Sequence, residues 1–196
     1  MPDAWMQEQV DNHITAAQRI SGLLPEIQAV GELLISAYSR TPSGILYTFG
    51  NGGSAADAQH LTGELIGRYY RERRPVPAVT LSTDPTAMTC IGNDYGYDHA
   101  FSRQVTALVR PGDVVAGFTT SGNSPSVVAG LRAGRAAGAT TVLFGGASGG
   151  DALEHADHPL LVPADFTPRI QEMHTLMLHM ISEVVDRWAY NQEKEK

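Results

Sequence analysis

The sequence predicts an α/β fold in three layers, a Rossmann-like parallel sheet with helices on both faces, and three observations carry that expectation. Short apolar, β-leaning runs near 44–49, 77–81, 113–118, 140–144 and 158–162 alternate with helical stretches near 54–67, 84–91, 125–137 and 168–191. Strand, helix and strand in alternation imply parallel pairing covered on both sides. Polar loops rich in glycine and hydroxyl side chains follow two of the runs directly, and no repeat, low-complexity segment or linker interrupts the 196 residues. One domain, 1–196, is therefore expected, with an N-terminal helical segment 4–38, an α/β core 44–165 and a C-terminal helix 168–191.

Residues 4–38 read as helical, with a break near Gly22 and Pro25 and with Val10, Ile14, Ile27, Leu33 and Leu34 on one apolar side. Taken alone, the segment is a cover for the sheet. The first strand, 44–49, runs into Gly50-Asn51-Gly52-Gly53-Ser54, so this loop should sit at the carboxyl end of a buried strand, where open α/β sheets bind ligands. The glycines let backbone approach a ligand, and Ser54 can cap the next helix, whose free N–H groups and dipole favour a phosphate or carboxylate. By itself the loop is also an ordinary turn, matching neither the P-loop nor the dinucleotide fingerprint.

On the helix behind the loop, His60 and Glu64 are four residues apart, which places both on one face, close enough to share a cation. A solvated pair is the plain alternative. The cluster Arg68, Arg71, Arg73 and Arg74 reads as solvated surface, with Arg68 a possible ligand contact. Asn93-Asp94-Tyr95-Gly96 reads as a turn. After the strand 113–118, the loop Thr119-Thr120-Ser121-Gly122-Asn123-Ser124 presents hydroxyls before a helix, which suits phosphate.

Thr167 and Pro168 form the cap and first turn of the last helix. Gln171 and His179, two i+4 steps apart, drift by under a quarter turn, whereas His174 and His179 point apart. His179 is thus the candidate ligand, and His174 a packed or hydrogen-bonded neighbour. His13, His99, His155 and His158 lack partners at ligand spacing, Met173, Met177 and Met180 are spaced as helix core, and the charged tail 192–196 should fray.

At these residues the chain resembles the sugar isomerase (SIS) domain family, and within it the phosphoheptose isomerases, which convert sedoheptulose 7-phosphate into D-glycero-D-manno-heptose 7-phosphate. The resemblance covers nearly the whole chain, through Phe49-Gly50-Asn51-Gly52-Gly53-Ser54, Glu64-Leu65-Ile66-Gly67-Arg68-Tyr69, Gly92-Asn93-Asp94-Tyr95-Gly96, Thr119 to Ser124 and Arg169-Ile170-Gln171-Glu172-Met173-His174. It implies one zinc ion per subunit held by His60, Glu64, Gln171 and His179. It further implies a sugar phosphate held by Asn51, Gly52, Gly53, Ser54, Glu64, Asn93, Asp94, Thr119, Thr120, Ser121, Ser124 and Gln171.

Glu64 and His179 would form the acid/base pair of an enediol mechanism; which of them removes the first proton stays open, as does whether their ligation is loose or the zinc mainly orders the site. The resemblance also implies a homotetramer with active sites at subunit borders, its N-terminal helix packed on a neighbour's C-terminal helix. Pro168 stands where some of these isomerases carry an aspartate that approaches the substrate, and Thr119 where serine is usual, which leaves the sugar or its anomer open. The alternative is a catalytically silent SIS protein that binds a sugar phosphate or a replication initiator. Such initiator-associating relatives lack an acid matching Glu64 and a histidine matching His179.

Composition bounds the reading. A hydrophobic share of 42% supports an ample core, and a net charge of -7 with few lysines and arginines argues against nucleic acid as a partner. The single cysteine, Cys90, excludes an internal disulfide, and the start Met1-Pro2-Asp3-Ala4-Trp5 lacks a signal peptide's basic and apolar regions. A reducing cytoplasm is the expected location. No apolar run approaches the ~20 residues needed to cross a bilayer, so no membrane contact is expected.

Overall fold

The computed structural model describes residues 3–194. Met1, Pro2, Glu195 and Lys196, on which the expectations about the chain's start and its frayed tail partly fall, lie outside the described residues. Five strands form one parallel sheet: β1 (Leu46–Gly50), β2 (Ala78–Thr80), β3 (Val114–Thr119), β4 (Thr140–Gly146) and β5 (His158–Val162), in the order β2-β1-β3-β4-β5. Seven α-helices accompany them among the described residues: α1 (Ala4–Ile20), α2 (Leu24–Tyr38), α3 (Gly53–Ile66), α4 (Pro85–Tyr95), α5 (Ala100–Leu108), α6 (Pro125–Ala136) and α7 (Thr167–Lys194).

Strand alternation sorts the core into two layers. Leu46, Val114, Ala116, Phe118, Val142, Phe144, Leu160 and Val162 pack under α1, α2, α3 and α7. Tyr47, Phe49, Val115 and Leu143 point the other way, toward α5 and α6. Both faces being covered, the strands read as continuous apolar runs. From β1 the chain crosses through α3 to one side, and from β3 it crosses through α6 to the other. The order therefore reverses between β1 and β3, and the switch point lies at their carboxyl ends.

Several local expectations need correction. Ser54 does not cap α3: that helix begins at Gly53, its cap position is Gly52 at φ 56°, and Ser54 is buried inside the first turn. Asn93, Asp94 and Tyr95 are helical rather than a turn. Asp84 accepts from the N–H groups of Thr86 and Ala87, Pro85 sets the first turn, and nothing stops α4 until Gly96 at φ 87°. Helix α5 is an addition to the expected elements; its buried Phe101 and Val105, followed by Val109, repeat at i, i+4, i+8.

The N-terminal segment is less one-sided than expected. Ile27 and Leu34 are buried, but Val10 and Ile14 are exposed, together with Trp5 and Met6. The stretch 4–38 is also long and apolar enough, by length and composition, to cross a bilayer, contrary to the sequence reading. In this fold part of that apolarity is core: Ile27, Val30 and Leu34 belong to the layer that includes α7.

Arg73 is not solvated surface. Its side chain and that of Asp186 on α7 are both fully buried, with Arg73 Nε donating to Asp186 Oδ1 at 3.2 Å. The rest of the guanidinium donates to the carbonyl oxygens of Glu64, Leu65, Gly67 and Arg74, covering the open end of α3. Arg71 adds its N–H and Nη1 to Asp186 Oδ2, each at 3.1 Å. Arg68, by contrast, is well exposed and only 3.8 Å from Glu72.

Candidate active site

Two helices start at the switch point without a side-chain cap, α3 after β1 and α6 after β3. Between them lies a cavity of about 250 Å³ lined by Asn51, Ser54, Phe118, Thr119, Thr120, Ser121, Ser124, Thr167 and Gln171. A larger hollow of about 430 Å³ lies over α5, lined by His99, Ser102, Arg103, Thr106 and Ala107, but it gathers no strand ends. Chemistry, not volume, singles out the smaller one. Uncapped N–H groups and clustered hydroxyls form a surface suited to an anion.

Close approach explains two glycines. Gly52 lies at φ 56°, ψ −124°, a conformation that side chains resist, and a Cβ on Gly53 would lie 2.5 Å from Gln171 Nε2. Gly53 thus lets the start of α3 pack directly on the Gln171 amide. Asn51 Nδ2 donates to Ser124 Oγ at 2.7 Å and to Ser126 Oγ at 2.9 Å, joining the ends of β1 and β3. Thr119 Oγ1 accepts from the Gly122 N–H and Ser121 Oγ from the Asn123 N–H, which fixes the curl of that loop.

Along the same α3–α7 seam, a second cluster forms. His179 Nε2 stands 3.2 Å from His60 Nε2, and His60 Nε2 stands 3.1 Å from Glu64 Oε1. Ligand atoms of the three residues all lie within 4.8 Å of one another. At zinc bond lengths of 2.0–2.1 Å, two corners of a tetrahedron are about 3.4 Å apart. Two imidazoles and a carboxylate at these separations fit a divalent metal of zinc's preferences. Burial lowers the pKa of His179, with His60 adding to the effect and Glu64 opposing it. The neutral ring that results is the form able to bind a metal or take a proton.

His174 is separated from this cluster, as the helical angle requires. It is buried edge-on to Phe118 and Phe144, with Nε2 3.3 Å from the Gly145 carbonyl oxygen. Asp57 accepts from the Thr175 hydroxyl at 3.1 Å, and burial raises its pKa, opposed by that hydrogen bond and by His60. Tyr69 lies against His179, ring centroids 5.6 Å apart. Its phenol is pushed up to about 12, first by desolvation and then by Tyr70, Glu183 and Glu64. Spacing alone carries no signal for Tyr69, because the chain leaves α3 at Ile66 before reaching it.

The residues singled out in the sequence are thus distributed unevenly. Asn51, Ser54, Thr119, Thr120, Ser121, Ser124 and Gln171 line the cavity, and His60, Glu64 and His179 meet beyond it. Gln171 lies at the cavity end of the seam, against Gly53. Asn93 and Asp94 do not line it: they bond each other at 2.6 Å on the exposed end of α4. His13 takes no part in either cluster; its Nδ1 lies 2.7 Å from Glu172 Oε2 and so joins α1 to α7.

Sheet order, uncapped helix starts at the switch point and hydroxyl-rich loops define an SIS-type α/β protein. Residues 12–146 match the SIS domain family. The chain is 45% identical to a phosphoheptose isomerase of Roseiflexus over 189 residues, covering 96% of this chain and 95% of that protein. Solved phosphoheptose isomerases superpose on it: that of Neisseria gonorrhoeae at TM-score 0.85 and 38% identity, covering 93% and 99% of the two chains, and that of Francisella tularensis at TM-score 0.88 and 29% identity, covering 93% and 96%. The chain belongs to the phosphoheptose isomerase family of SIS-domain sugar isomerases.

Proposed function

We propose that the chain interconverts sedoheptulose 7-phosphate and D-glycero-D-manno-heptose 7-phosphate through an enediol, with Glu64 and His179 as the acid/base pair. One observation carries this reading: a carboxylate and two imidazoles converge within 4.8 Å on a seam that leads into the hydroxyl-lined cavity. Ser54 precedes His60 and Glu64 by six and ten residues on α3, about 9 and 15 Å at 1.5 Å per residue. That separation is on the order of an extended sugar phosphate. The phosphate would lie among the Thr119–Ser124 hydroxyls and the uncapped helix starts, and the reacting carbons beside Glu64 and His179.

The reaction moves a carbonyl from C2 to C1. A base takes a proton from C1 as an acid delivers one to the C2 oxygen, which leaves a C1–C2 enediol. The C1 hydroxyl then releases its proton to become the aldehyde oxygen, and C2 takes a proton. A carboxylate and a neutral imidazole a few ångströms apart can divide these transfers between them. His60, Glu64, His179 and Gln171 would hold a zinc ion, which when bound supplies a Lewis acid that polarises the carbonyl. Asn93 and Asp94, though outside the cavity wall, remain proposed contacts for the sugar.

The test follows aldose phosphate formation from sedoheptulose 7-phosphate by NMR, for the zinc-loaded protein, the chelated protein, and Glu64→Gln and His179→Gln variants. The expected result is turnover by the zinc-loaded wild type, loss of at least about 100-fold in each variant, as removal of an acid or base implies, and loss on chelation that zinc reverses. Substrate bound without turnover would sink the catalytic reading and leave a sugar phosphate sensor.

A further inference from the structure

Asn51 is more than a wall of the cavity. Its Nδ2 gives both protons to Ser124 and Ser126, and its Oδ1 accepts from the Tyr97 hydroxyl at 2.7 Å. Three hydroxyls from two separate parts of the chain therefore fix one amide. With both N–H groups committed, the Asn51 side chain has no donor left for a ligand. These bonds tie the end of β1 to the start of α6. Ser124 accepts from Asn51 and makes no cap for α6, so the brace also keeps that helix start open.

Tyr97 is the outer member of this network. It is 51% exposed, so burial does not force its hydroxyl to find a protein partner; water was available instead. Backbone geometry directs it inward all the same: α4 ends at Tyr95, and Gly96 at φ 87° turns the chain so that Tyr97 comes back over the end of β1. Asn93 and Asp94, three and two residues before Gly96, bond each other and are not among the residues lining the cavity. Among the described residues, Tyr97 is the side chain of the 93–97 segment bonded to that wall.

We propose that Tyr97 is a positioning residue for substrate binding: through Asn51 it sets the separation between the Gly52–Gly53 turn and the Thr119–Ser124 loop, the two surfaces that hold the sugar phosphate. This rests on the cavity being the substrate site. Removing the Tyr97 hydroxyl frees the Asn51 amide to rotate, loosens the Ser124 and Ser126 bonds, and weakens the grip on substrate more than it slows proton transfer at Glu64 and His179.

The test compares wild type, Tyr97→Phe, Asn51→Ala and the double variant, measuring the dissociation constant for sedoheptulose 7-phosphate by calorimetry, KM and kcat by turnover, and the melting temperature. Tyr97→Phe should raise the dissociation constant and KM about three- to tenfold, the range for one lost neutral hydrogen bond, while kcat changes less than about twofold. In the Asn51→Ala background the same substitution should add nothing, because the partner it acts through is gone. Unchanged binding in Tyr97→Phe, a lowered melting temperature alone, or full multiplication of the two effects in the double variant would overturn the proposal. If the wild type binds but does not turn over, the calorimetric comparison still decides it, and only the isomerase reading falls; a wild type that binds no heptulose phosphate overturns both.

Discussion

His174 carries a pH dependence that can be derived from its surroundings. Burial lowers its pKa to about 4, with the Gly145 carbonyl opposing the shift, against 6.5 when exposed. Asp57 Oδ2 stands 4.0 Å from its Nδ1, too far for a hydrogen bond. Because the folded pKa is the lower one, the unfolded chain binds the proton first. This contribution to stability is complete above pH 6.5 and is lost as pH falls from 6.5 toward 4, by about 2 kcal/mol between pH 7.5 and 5. Urea unfolding at the two pH values should show this loss in the wild type and not in His174→Gln. Equal losses in both proteins would place the titration elsewhere. The sequence already separated His174 from His179, since five residues rotate them apart on a helix. It carries no sign of the Gly145 carbonyl that receives His174, which lies on β4.

At the level of elements, the α3–α7 seam decides the site, and Arg73 closes one end of it. The guanidinium covers the carbonyls that α3 leaves open at Glu64 and Leu65 and pairs with Asp186, which lies two turns beyond His179. Arg73→Met should cost about 3–5 kcal/mol, because Asp186 would stay buried with a reduced set of partners. Chemical denaturation measures that cost directly, and a loss under about 1 kcal/mol would mean that Arg71 alone satisfies Asp186. The four arginines at 68–74 look alike as a charge cluster, and burial of one of them follows from how α7 lies over α3, which no local pattern encodes. Helix α5 is a different case. Phe101, Val105 and Val109 do form a legible stripe, but it is short and covers only one helix of nine residues, Ala100–Leu108.

For the whole molecule, the telling feature is the apolar surface that α1 leaves exposed. Trp5, Met6, Val10 and Ile14 are exposed apolar side chains along one segment, and isolated exposure of this kind is ordinary while a run of it marks a contact surface. We propose that this surface is buried in a homotetramer. Light scattering of the purified protein should give four times the chain mass of 21.0 kDa, and Ile14→Glu should shift it to smaller species while the far-ultraviolet circular dichroism is kept. A wild-type monomer would end the proposal.

The alternation of strand and helix, the loop after each switch-point strand and the shared face of His60 and Glu64 were all readable in the sequence. Each depends only on the local repeat of a helix or a strand, which side-chain order encodes directly. Tertiary structure alone decided that β1 lies beside β3, so that Asn51 meets Ser124 and Ser126, that His179 comes within 3.2 Å of His60, and that Tyr97 and Arg73 join the site's supports. Those approaches join residues tens of positions apart, and they are set by how the helices and strands pack into one core rather than by any neighbour in the chain.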